Sequence, residues 1–376
     1  MSAIELEPPV ILSDFFDLPP YGLPQSQKAQ MLVIRLRQLC RHHYERCVIY
    51  RRLIERVFGG EDALGFERLE EVPFIPVQLF KTHALRSVPA EAVVRTLTSS
   101  GTSGQVLSRV DLDRETSQRQ TQVLVKILQH FLGPRRSPMV IFDRKVALDQ
   151  PGPYPARVAA LLGMMPFGRD PFFALKEDWS LDIEGLSAYL ARASGAGGEC
   201  VIVFGLTVIL WQALVLTMER EGKKLHIPQG VLIHAGGWKK LQDAAVGAEE
   251  FRQRVQAVTG ISRILNFYGM VEQVGSIFFE NPRHYLQAPV YAEVIIRDPI
   301  TLRPLPVGGV GLVQVLSAIP TSYPGHSLLT EDMGVLRGVD DPTTGMNGRY
   351  FEILGRVPQA EVRGCSDTYP TQHSTT

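Results

Sequence analysis

The sequence has few cysteines and no excess of charge of either sign. Its 376 residues include four cysteines, Cys40, Cys47, Cys200 and Cys365, which lie far apart. No pair has metal-site spacing and no disulfide framework suggests itself, so a reducing cytoplasm is the expected compartment. Lysine plus arginine and aspartate plus glutamate both number 39. The sequence therefore offers no overall basic field for nucleic acid and no acidic tail.

Signals for export or membrane insertion are also lacking. The N-terminus, MSAIELEPPV, has early acidic residues and no basic region, unlike a signal peptide. Residues 200–218, CVIVFGLTVILWQALVLTM, carry no charge and are long enough to raise the question of a membrane span. The stretch is solitary and lacks basic flanks, and Gly205 interrupts it. We expect a buried strand there, followed by a buried helix that Thr207 caps.

What the sequence does contain is typical of a globular α/β protein. Hydrophobic residues make up 45% of it and charged residues 21%. Helical periodicity at 27–58, 114–132 and 248–258 alternates with strand-like stretches at 139–142, 231–233 and 263–267, which predicts sheets covered by helices. From 290 to 353 short β-like pieces dominate. The predicted division is an N-terminal arm and helical segment (1–60), an α/β core (61–285), a β-rich subdomain (286–356) and a short tail (357–376).

The most informative stretch is TSSGTSG, residues 98–104, which holds five hydroxyl side chains and two glycines. Glycines let a backbone turn tightly and present its N–H groups to an anion, and the hydroxyls add donors. The apolar run before it and the helix expected soon after, near Asp113, place it inside a folded region. These features favour a phosphate-binding loop, although a flexible serine–glycine linker stays open on these residues alone.

The loop is neither a Walker-type P-loop nor the dinucleotide pattern GxGxxG, because Gln105 and Val106 follow its last glycine. SSGTSG instead resembles the loop of adenylate-forming enzymes, and NFYGMVEQ at 266–273 resembles their YGxTE motif. Three more motifs follow the expected order, namely HAGGW at 234–238, LLTEDMG at 328–334 and ILGR at 353–356. Five ordered matches argue against coincidence.

A narrower resemblance extends over nearly the whole sequence. VPFIPVQLFK at 72–81, FLGPRRSPMVIFD at 131–143 and EVRGCSDTY at 361–369 are similar to the acyl-protein synthetase family of the LuxE type, which is related to phenylacetate–CoA ligases. The resemblance implies the N-terminal domain of an adenylate-forming enzyme, α/β with a small β-rich subdomain. Because the sequence ends soon after Arg356, the usual C-terminal domain is expected to be missing or truncated.

The resemblance also implies ATP and Mg²⁺ as cofactors and assigns roles by motif. It places nucleotide binding at the loop and at the residues that match the other motifs: Ser99, Ser100, Gly101, Thr102, Ser103, Gly104, Gly236, Gly237, Tyr268, Gly269, Asp332 and Arg356. By the same resemblance Tyr268 stacks on adenine, Asp332 binds the ribose and Glu272 holds the metal. Without the family, Tyr268 would be interpreted as a core aromatic, Glu272 as a helix N-terminal acid and Asp332 as a turn residue.

The sequence departs from the superfamily pattern at several motifs. No lysine follows the loop, and Arg109 is the nearest cation there. The TGD motif reads TED. The GRxD motif reads GRVP, with Val357 after the arginine, so its hinge acid is replaced. The catalytic lysine of the C-terminal domain is expected to be absent, so Arg109 and Lys81 are the candidate substitutes.

Cys365 is the candidate acyl acceptor. LuxE-type enzymes acylate themselves on a cysteine in this motif and hand the acyl group to a reductase. The flanking Arg363 would favour a thiolate, the nucleophilic form. The plainer alternative for Cys365 is an inert buried cysteine. Cys40, Cys47 and Cys200 lie in apolar-periodic contexts and are interpreted as structural.

The predicted function is therefore ATP-dependent activation of a carboxylic acid, with a fatty acid favoured, and transfer of the acyl group to a thiol. A reductase-like or acyltransferase protein is the expected partner. Two alternatives stay open: an aryl- or acyl-CoA ligase of the phenylacetate type, and a catalytically weak nucleotide-binding subunit. Apolar segments around Phe167, Phe172, Phe173 and Trp238 are candidates for lining an acyl pocket.

Overall fold

The structure is a computed structural model, and it describes residues 15–99, 106–145, 154–194, 199–237 and 246–357. Three sets of predicted site residues lie outside these ranges, namely 100–104 of the candidate phosphate loop, Trp238 and Cys365. The statements that follow concern the described residues.

Helices and strands alternate through the middle of the chain. The helices are α1 (Gln25–Arg46), α2 (Val48–Val57), α3 (Leu79–Thr82), α4 (Arg114–Leu132), α5 (Ala156–Met164), α6 (Ile183–Ser194), α7 (Thr207–Ile209), α8 (Thr217–Arg220) and α9 (Ala248–Thr259). A π-helix, Leu210–Leu216, joins α7 to α8. Short 3₁₀ helices lie at Glu61–Gly65, Leu69–Glu71, Ala90–Ala92, Met165–Phe167 and Val271–Gln273.

The strands belong to two sheets. In chain order they are β1 (Ile75–Pro76), β2 (Val93–Thr98), β3 (Arg109–Asp113), β4 (Ser137–Arg144), β5 (Tyr154–Pro155), β6 (Gly168–Leu175), β7 (Ile202–Leu206), β8 (Val231–Ala235), β9 (Arg263–Tyr268), β10 (Phe278–Glu280), β11 (Leu286–Gln287), β12 (Ala292–Arg297), β13 (Val310–Ser317), β14 (Ser327–Val339) and β15 (Arg349–Arg356). The large sheet has the order β12-β13-β14-β15-β11-β10-β9-β8-β7-β4-β6, and β1 also pairs with β14. The small sheet has the order β3-β2-β5.

The large sheet is parallel at one end and antiparallel at the other. Strands β6, β4, β7, β8 and β9 are mutually parallel, whereas β9 to β12 along the sheet order pair antiparallel. The hydrogen-bonded path therefore crosses the boundary predicted between the α/β core and the β-rich subdomain. The domain division itself stays a prediction.

Helices cover both faces of the parallel strands. Along β4, Met139 and Ile141 belong to one hydrophobic core and Val140 and Phe142 to another. All four side chains are buried, as expected for a parallel strand between two helical layers. This explains why such strands read as continuous apolar runs in the sequence.

Several predicted elements are confirmed. Helix α4 spans Arg114–Leu132 as predicted, and Asp113 caps it by accepting the Thr116 backbone N–H at 2.8 Å. The predicted strands at 139–142, 231–233 and 263–267 are parts of β4, β8 and β9. The helical stretch predicted at 27–58 is two helices, separated at Cys47, which has an extended backbone.

The uncharged stretch 200–218 is a buried strand followed by helix, as predicted, but two local details were wrong. Strand β7 continues through Gly205, because the parallel partner His234 pairs with it. Thr207 is the first helical residue and does not cap the helix; its hydroxyl donates to the Ala235 carbonyl at 3.1 Å instead. Within the described ranges, every helix is too short or too polar to cross a membrane.

Candidate functional site

Two glycine-containing turns meet at the carboxyl edge of the parallel strands. Strand β8 ends at Ala235 and leads into Gly236 and Gly237, while β9 ends at Tyr268 and leads into Gly269. Because β8 and β9 are parallel and in register up to Ala235 and Phe267, both turns lie at the same edge of the sheet. Gly236 has φ of +85°, a conformation that favours glycine, and a Cβ there would meet no described atom within 4 Å. Among the described residues, therefore, none fills the space beside the Gly236 backbone.

Three predicted nucleotide-binding side chains converge beside this edge. The Tyr268 hydroxyl donates to Oδ2 of Asp332 at 2.7 Å, and Arg356 Nε donates to Oδ1 at 3.2 Å. Asp332 and Arg356 are direct cross-strand partners on β14 and β15. The structure thus brings together residues that are up to 88 positions apart in the sequence. We refer to Tyr268, Asp332 and Arg356 as the strand-end triad.

The triad is held in place by its surroundings. The Asp332 backbone N–H donates to the Thr330 hydroxyl at 3.1 Å, and that hydroxyl donates to the Val313 carbonyl at 2.8 Å. Burial, reinforced by the adjacent Asp332 carboxylate, raises the pKa of Tyr268 well above its usual value. The phenol therefore stays protonated and keeps donating to Asp332. Each carboxylate oxygen can still accept a further hydrogen bond from a ligand hydroxyl.

Glu272 lies on the turn after β9 and has a different environment. It belongs to the 3₁₀ helix Val271–Gln273, and only 7% of the residue is exposed. Its carboxylate forms no hydrogen bond or ion pair with any residue in the described ranges, and its oxygens are not among the buried polar atoms that lack a partner. The oxygens are therefore accessible to a ligand, and an accessible, unpaired carboxylate suits a cation. A hard ion such as Mg²⁺, which takes oxygen ligands and often one or two carboxylates plus phosphates, fits this donor.

The two ends of the candidate phosphate loop meet at the base of a hairpin. The Ser99 backbone N–H donates to the Ser108 carbonyl at 3.0 Å, and the Ser108 backbone N–H donates to the Ser99 hydroxyl at 2.9 Å. The small-sheet strands β2 and β3 run antiparallel from this point. Ser99 is thus the one predicted loop residue within the described ranges, and its hydroxyl donates to none of the described residues.

Arg109, the first candidate cation, is exposed but paired. Its Nε donates to Oδ1 of Asp111 at 3.0 Å, and Arg86 lies 3.5 Å from the other carboxylate oxygen. The side chain of Arg109 is 60% exposed. Asp111, which is 6% exposed, therefore holds two arginines at the base of the loop hairpin.

Lys81, the second candidate cation, is brought close to the triad strand by tertiary structure. Helix α3 follows β1, which pairs in parallel with the start of β14. The Gln78 side chain just before α3 donates to Glu331, the immediate neighbour of Asp332. Helix α3 also packs against β3 of the loop hairpin. The helix of Lys81 therefore lies next to both the loop hairpin and the strand that carries Asp332.

His234 is a site neighbour that the motif comparison included without assigning it a role. Its Nδ1 lies 2.9 Å from the Thr207 hydroxyl, whose own hydrogen is donated to Ala235, so Nδ1 is the protonated nitrogen. Burial lowers its pKa to about 4, and its Nε2 finds no partner among the described residues. The sequence did contain a signal for this residue: a histidine in an apolar strand, close to the glycine pair that follows the strand.

Strand geometry bears on two of the candidate pocket residues, and burial bears on two of the cysteines. Phe172 and Phe173 lie on opposite faces of β6, against different cores, so they do not line one pocket together. Cys40 and Cys47 are buried, and burial raises the pKa of Cys40 to about 12. A thiol of that kind is a poor nucleophile.

The chain matches a known protein family and is similar to individual ligases. The family described as acyl-protein synthetase, LuxE, matches residues 7–373. A long-chain-fatty-acid–luciferin-component ligase of Vibrio harveyi is 27% identical over 379 residues, 97% of this chain and 95% of that protein. A phenylacetate-coenzyme A ligase of Thermus thermophilus is 25% identical over 373 residues, 93% of this chain and 75% of that protein.

Solved structures give a likeness in fold. An open conformation of 2-hydroxyisobutyryl-CoA ligase, in complex with 2-HIB-AMP and CoA, matches with a TM-score of 0.66 at 17% identity. The match covers 94% of this chain and 80% of that one. The likeness confirms the predicted α/β fold of an adenylate-forming enzyme, while the expectation of a missing C-terminal domain stays a prediction.

Proposed function

The chain belongs to the acyl-protein synthetase family, LuxE, and is a ligase-type enzyme of the adenylate-forming class; on that premise we propose that it activates a carboxylic acid with ATP and transfers the acyl group to its own Cys365. A carboxylate is a poor electrophile, because its charge repels nucleophiles and oxide is a poor leaving group. Adenylation replaces that oxide with AMP, which leaves readily.

In the first step, a carboxylate oxygen attacks the α-phosphorus of ATP. The new O–P bond forms as the bond to pyrophosphate breaks, and pyrophosphate leaves with the bonding electrons. Negative charge accumulates on the phosphoryl oxygens in the transition state, so the enzyme must present donors and cations there. In this proposal residues 99–104 contact the β- and γ-phosphates, and Arg109 and Lys81 are the candidate cations.

The observation that carries the proposal is the convergence of the strand-end triad beside the open backbone of Gly236. A carboxylate with two firm protein donors is prearranged to accept hydrogen bonds from a vicinal diol, so we assign the ribose to Asp332. Tyr268 and the glycine pair would then lie against the two faces of adenine. Arg356 would neutralise Asp332 and contact the ribose or phosphate.

Mg²⁺ would be held by Glu272, the buried carboxylate with no described partner. The ion, when bound, neutralises phosphate charge and makes pyrophosphate a better leaving group. Glu272 contributes a hard, anionic oxygen at a fixed point of the turn, which orients the metal relative to the triad.

In the second step, the Cys365 thiolate attacks the acyl carbonyl carbon. A C–S bond forms, the C–O bond to AMP breaks, and AMP leaves with the electron pair; the thiol proton goes to solvent. The sequence around Cys365 supports this role, and so does the distance that the chain between Arg356 and Cys365 can span. Cys365 lies nine residues beyond Arg356, an extended span of at most about 30 Å. The buried Cys40 and Cys47 are unsuitable acceptors.

Within this proposal the acid is a fatty acid, as the name of the Vibrio harveyi relative suggests. The thioester would be delivered to a reductase-like or acyltransferase protein. We place the reaction in the cytoplasm, because four scattered cysteines suit a reducing compartment.

Two measurements test the proposal. Exchange of labelled pyrophosphate into ATP should depend on added fatty acid and on Mg²⁺. Incubation with ATP, Mg²⁺ and labelled fatty acid should then label the protein through a bond that neutral hydroxylamine cleaves. Cys365→Ser should abolish the label and keep the exchange, while the matched Cys200→Ser should keep both.

Three results would contradict the proposal in different ways. Absence of exchange with every carboxylate would favour a nucleotide-binding subunit. Label that persists in Cys365→Ser would remove the assigned acceptor. Efficient acyl-CoA formation without protein label would favour a CoA ligase, the activity named for the Thermus thermophilus relative.

A further inference from the structure

A short segment between β13 and β14, residues 318–326, is bonded to helix α1 on one side. We call it the clasped segment. Three side chains of α1, those of Arg35, His42 and His43, bond to three of its backbone carbonyls at 2.9, 2.8 and 3.1 Å. Bonds from one helix to the carbonyls of Ala318, Pro320 and Thr321 restrict the backbone of the segment.

The last residue of the clasped segment is fixed by a second set of buried groups. His326 Nε2 lies 3.1 Å from Cys40 Sγ and 3.2 Å from the Tyr50 hydroxyl. The His326 ring stacks on His43 with centroids 4.9 Å apart. All four side chains are buried to 1% exposure or less. Helices α1 and α2 therefore hold both ends of the segment.

On its other side the segment contacts the hairpin that carries the candidate phosphate loop. The Thr116 hydroxyl, in the first turn of α4, accepts the backbone N–H groups of Thr321 and Ser322 at 3.3 and 3.1 Å. The Ser322 hydroxyl donates to the Asp111 carbonyl of β3 at 2.9 Å. Thr116 is fully buried, so water does not replace these bonds.

The third contact is with the turn that carries Glu272. The Gln273 side chain donates to the Gly325 carbonyl at 3.2 Å, and the Val274 backbone N–H donates to the Tyr323 hydroxyl at 3.3 Å. A Cβ on Gly325 would lie 2.6 Å from the Glu272 carbonyl oxygen and 2.2 Å from the Tyr323 ring. Glycine is therefore needed at position 325 for the segment to approach the Glu272 backbone this closely.

We propose that the clasped segment is a positioning device that fixes the Glu272 turn relative to the phosphate-loop hairpin, with Thr116 and Gly325 as positioning residues for the metal. The inference rests on the proposed function, in which Glu272 holds Mg²⁺. The Glu272 carboxylate has no described partner of its own, so only its backbone sets its place. Metal sites depend on such outer contacts, whose loss weakens affinity by about 10-fold to 100-fold.

Two variants loosen the device, and each has a matched control elsewhere. Thr116→Val removes the hydroxyl that accepts two segment N–H groups. Thr259→Val removes an equally buried hydroxyl that accepts the Ile261 N–H at 3.1 Å at the end of α9. Gly325→Ala forces a methyl against Tyr323 and the Glu272 carbonyl.

The control for Gly325 is Gly338 on β14. A Cβ there would lie 2.2 Å from the Tyr350 hydroxyl, so Gly338→Ala creates a comparable clash with a tyrosine. Gly338 lies six residues beyond Asp332 on the same strand, about 20 Å away along it. It therefore tests whether any glycine-to-tyrosine clash has the same effect.

The readout is Mg²⁺ binding measured by calorimetry on the full chain saturated with a non-hydrolysable ATP analogue. Thr116→Val and Gly325→Ala should each weaken Mg²⁺ binding by about tenfold or more, with AMP affinity changed by no more than about twofold. Both controls should change either affinity by no more than about twofold. Thr116→Ser, which keeps the hydroxyl, should restore Mg²⁺ binding.

The outcomes separate this inference from the proposed function. If the wild-type chain binds the analogue without Mg²⁺ dependence, the proposed metal role of Glu272 fails and this inference fails with it. If the wild type requires Mg²⁺ but test and control variants bind it alike, the positioning role alone is wrong. Should Gly325→Ala fail to fold, Thr116→Val against Thr259→Val still decides the question.

Discussion

The two acidic residues of the candidate site, Asp332 and Glu272, are held in opposite ways. The Asp332 carboxylate accepts hydrogen bonds from Tyr268 and Arg356, and its position is fixed side chain to side chain. The Glu272 carboxylate has no partner in the described part of the chain, and the clasped segment approaches its backbone at Gly325 and bonds to the neighbouring Gln273. The Asp332 carboxylate is thus bonded by side chains of the protein, whereas for the Glu272 carboxylate we propose a metal ligand role.

The difference has an energetic meaning. A buried carboxylate with two donors contributes to folding, because removing it leaves its partners unsatisfied. An accessible carboxylate without protein partners leaves no group unsatisfied when it is removed. We therefore expect Asp332 to support both stability and binding, and Glu272 to support binding with little contribution to stability.

The largest expected effect comes from Glu272→Ala. Carboxylate-dependent pyrophosphate exchange should fall by at least about 100-fold, about 2.7 kcal/mol of barrier, because the metal loses its protein ligand. The free energy of unfolding, measured by denaturant titration without nucleotide, should stay the same or rise. Glu352→Ala, which removes an exposed partner of Arg337 on β15, is the control and should keep full exchange. Full exchange activity in Glu272→Ala would remove Glu272 from the site.

Asp332→Ala should have a smaller effect on function and the opposite effect on stability. ATP affinity should fall by about tenfold or more, because the ribose hydroxyls lose their acceptor. The free energy of unfolding should fall by about 1–3 kcal/mol, since the Tyr268 hydroxyl and Arg356 lose their shared partner. Calorimetry with ATP and denaturant titration measure the two quantities. An unchanged nucleotide affinity would contradict the ribose assignment. An unchanged free energy of unfolding would mean that Asp332 and Glu272 do not differ in their contribution to stability.

The third effect concerns the dependence of stability on pH and leaves catalysis aside; it tests His326 of the clasped segment and His43 of α1. Burial lowers the pKa of His326 to about 3, aided by nearby Arg35 and His42, and lowers that of His43 well below its ordinary value. Between pH 6.5 and about 3 the unfolded chain therefore binds more protons than the folded chain. Stability should fall as pH falls through this window, by up to about 1.4 kcal/mol per pH unit for each histidine.

The measurement is the free energy of unfolding from pH 7 to pH 4 in the wild type and in His326→Asn. The variant should be less stable at pH 7, because it loses the contacts to Cys40 and Tyr50, but its stability should fall less steeply with acid. Equal slopes in the two proteins would mean that His326 is not held neutral by the fold. His234, with a pKa of about 4, should continue to contribute a slope in both.

Much of the fold could be predicted because it depends on local pattern. Helix α4 has a capping aspartate at Asp113 and apolar periodicity, and both are visible in the sequence. The parallel strands appear as short apolar runs separated by helices. Details that depend on a neighbour were missed. Gly205 continues its strand because β8 pairs with it, and Thr207 bonds to Ala235 across that pair instead of capping its helix.

The proposed site residues could be picked out from the sequence because each motif is a local string: the glycine pair, Tyr268, Glu272, Asp332 and Arg356. How these residues are held depends on the folded chain. It joined Tyr268 to Asp332, brought the helix of Lys81 to the strand of Asp332, and clasped residues 318–326 with α1. These contacts join positions 64 to 283 residues apart, and a local pattern carries no information about such a distant partner. The pairing follows from strand register and helix packing over the whole chain.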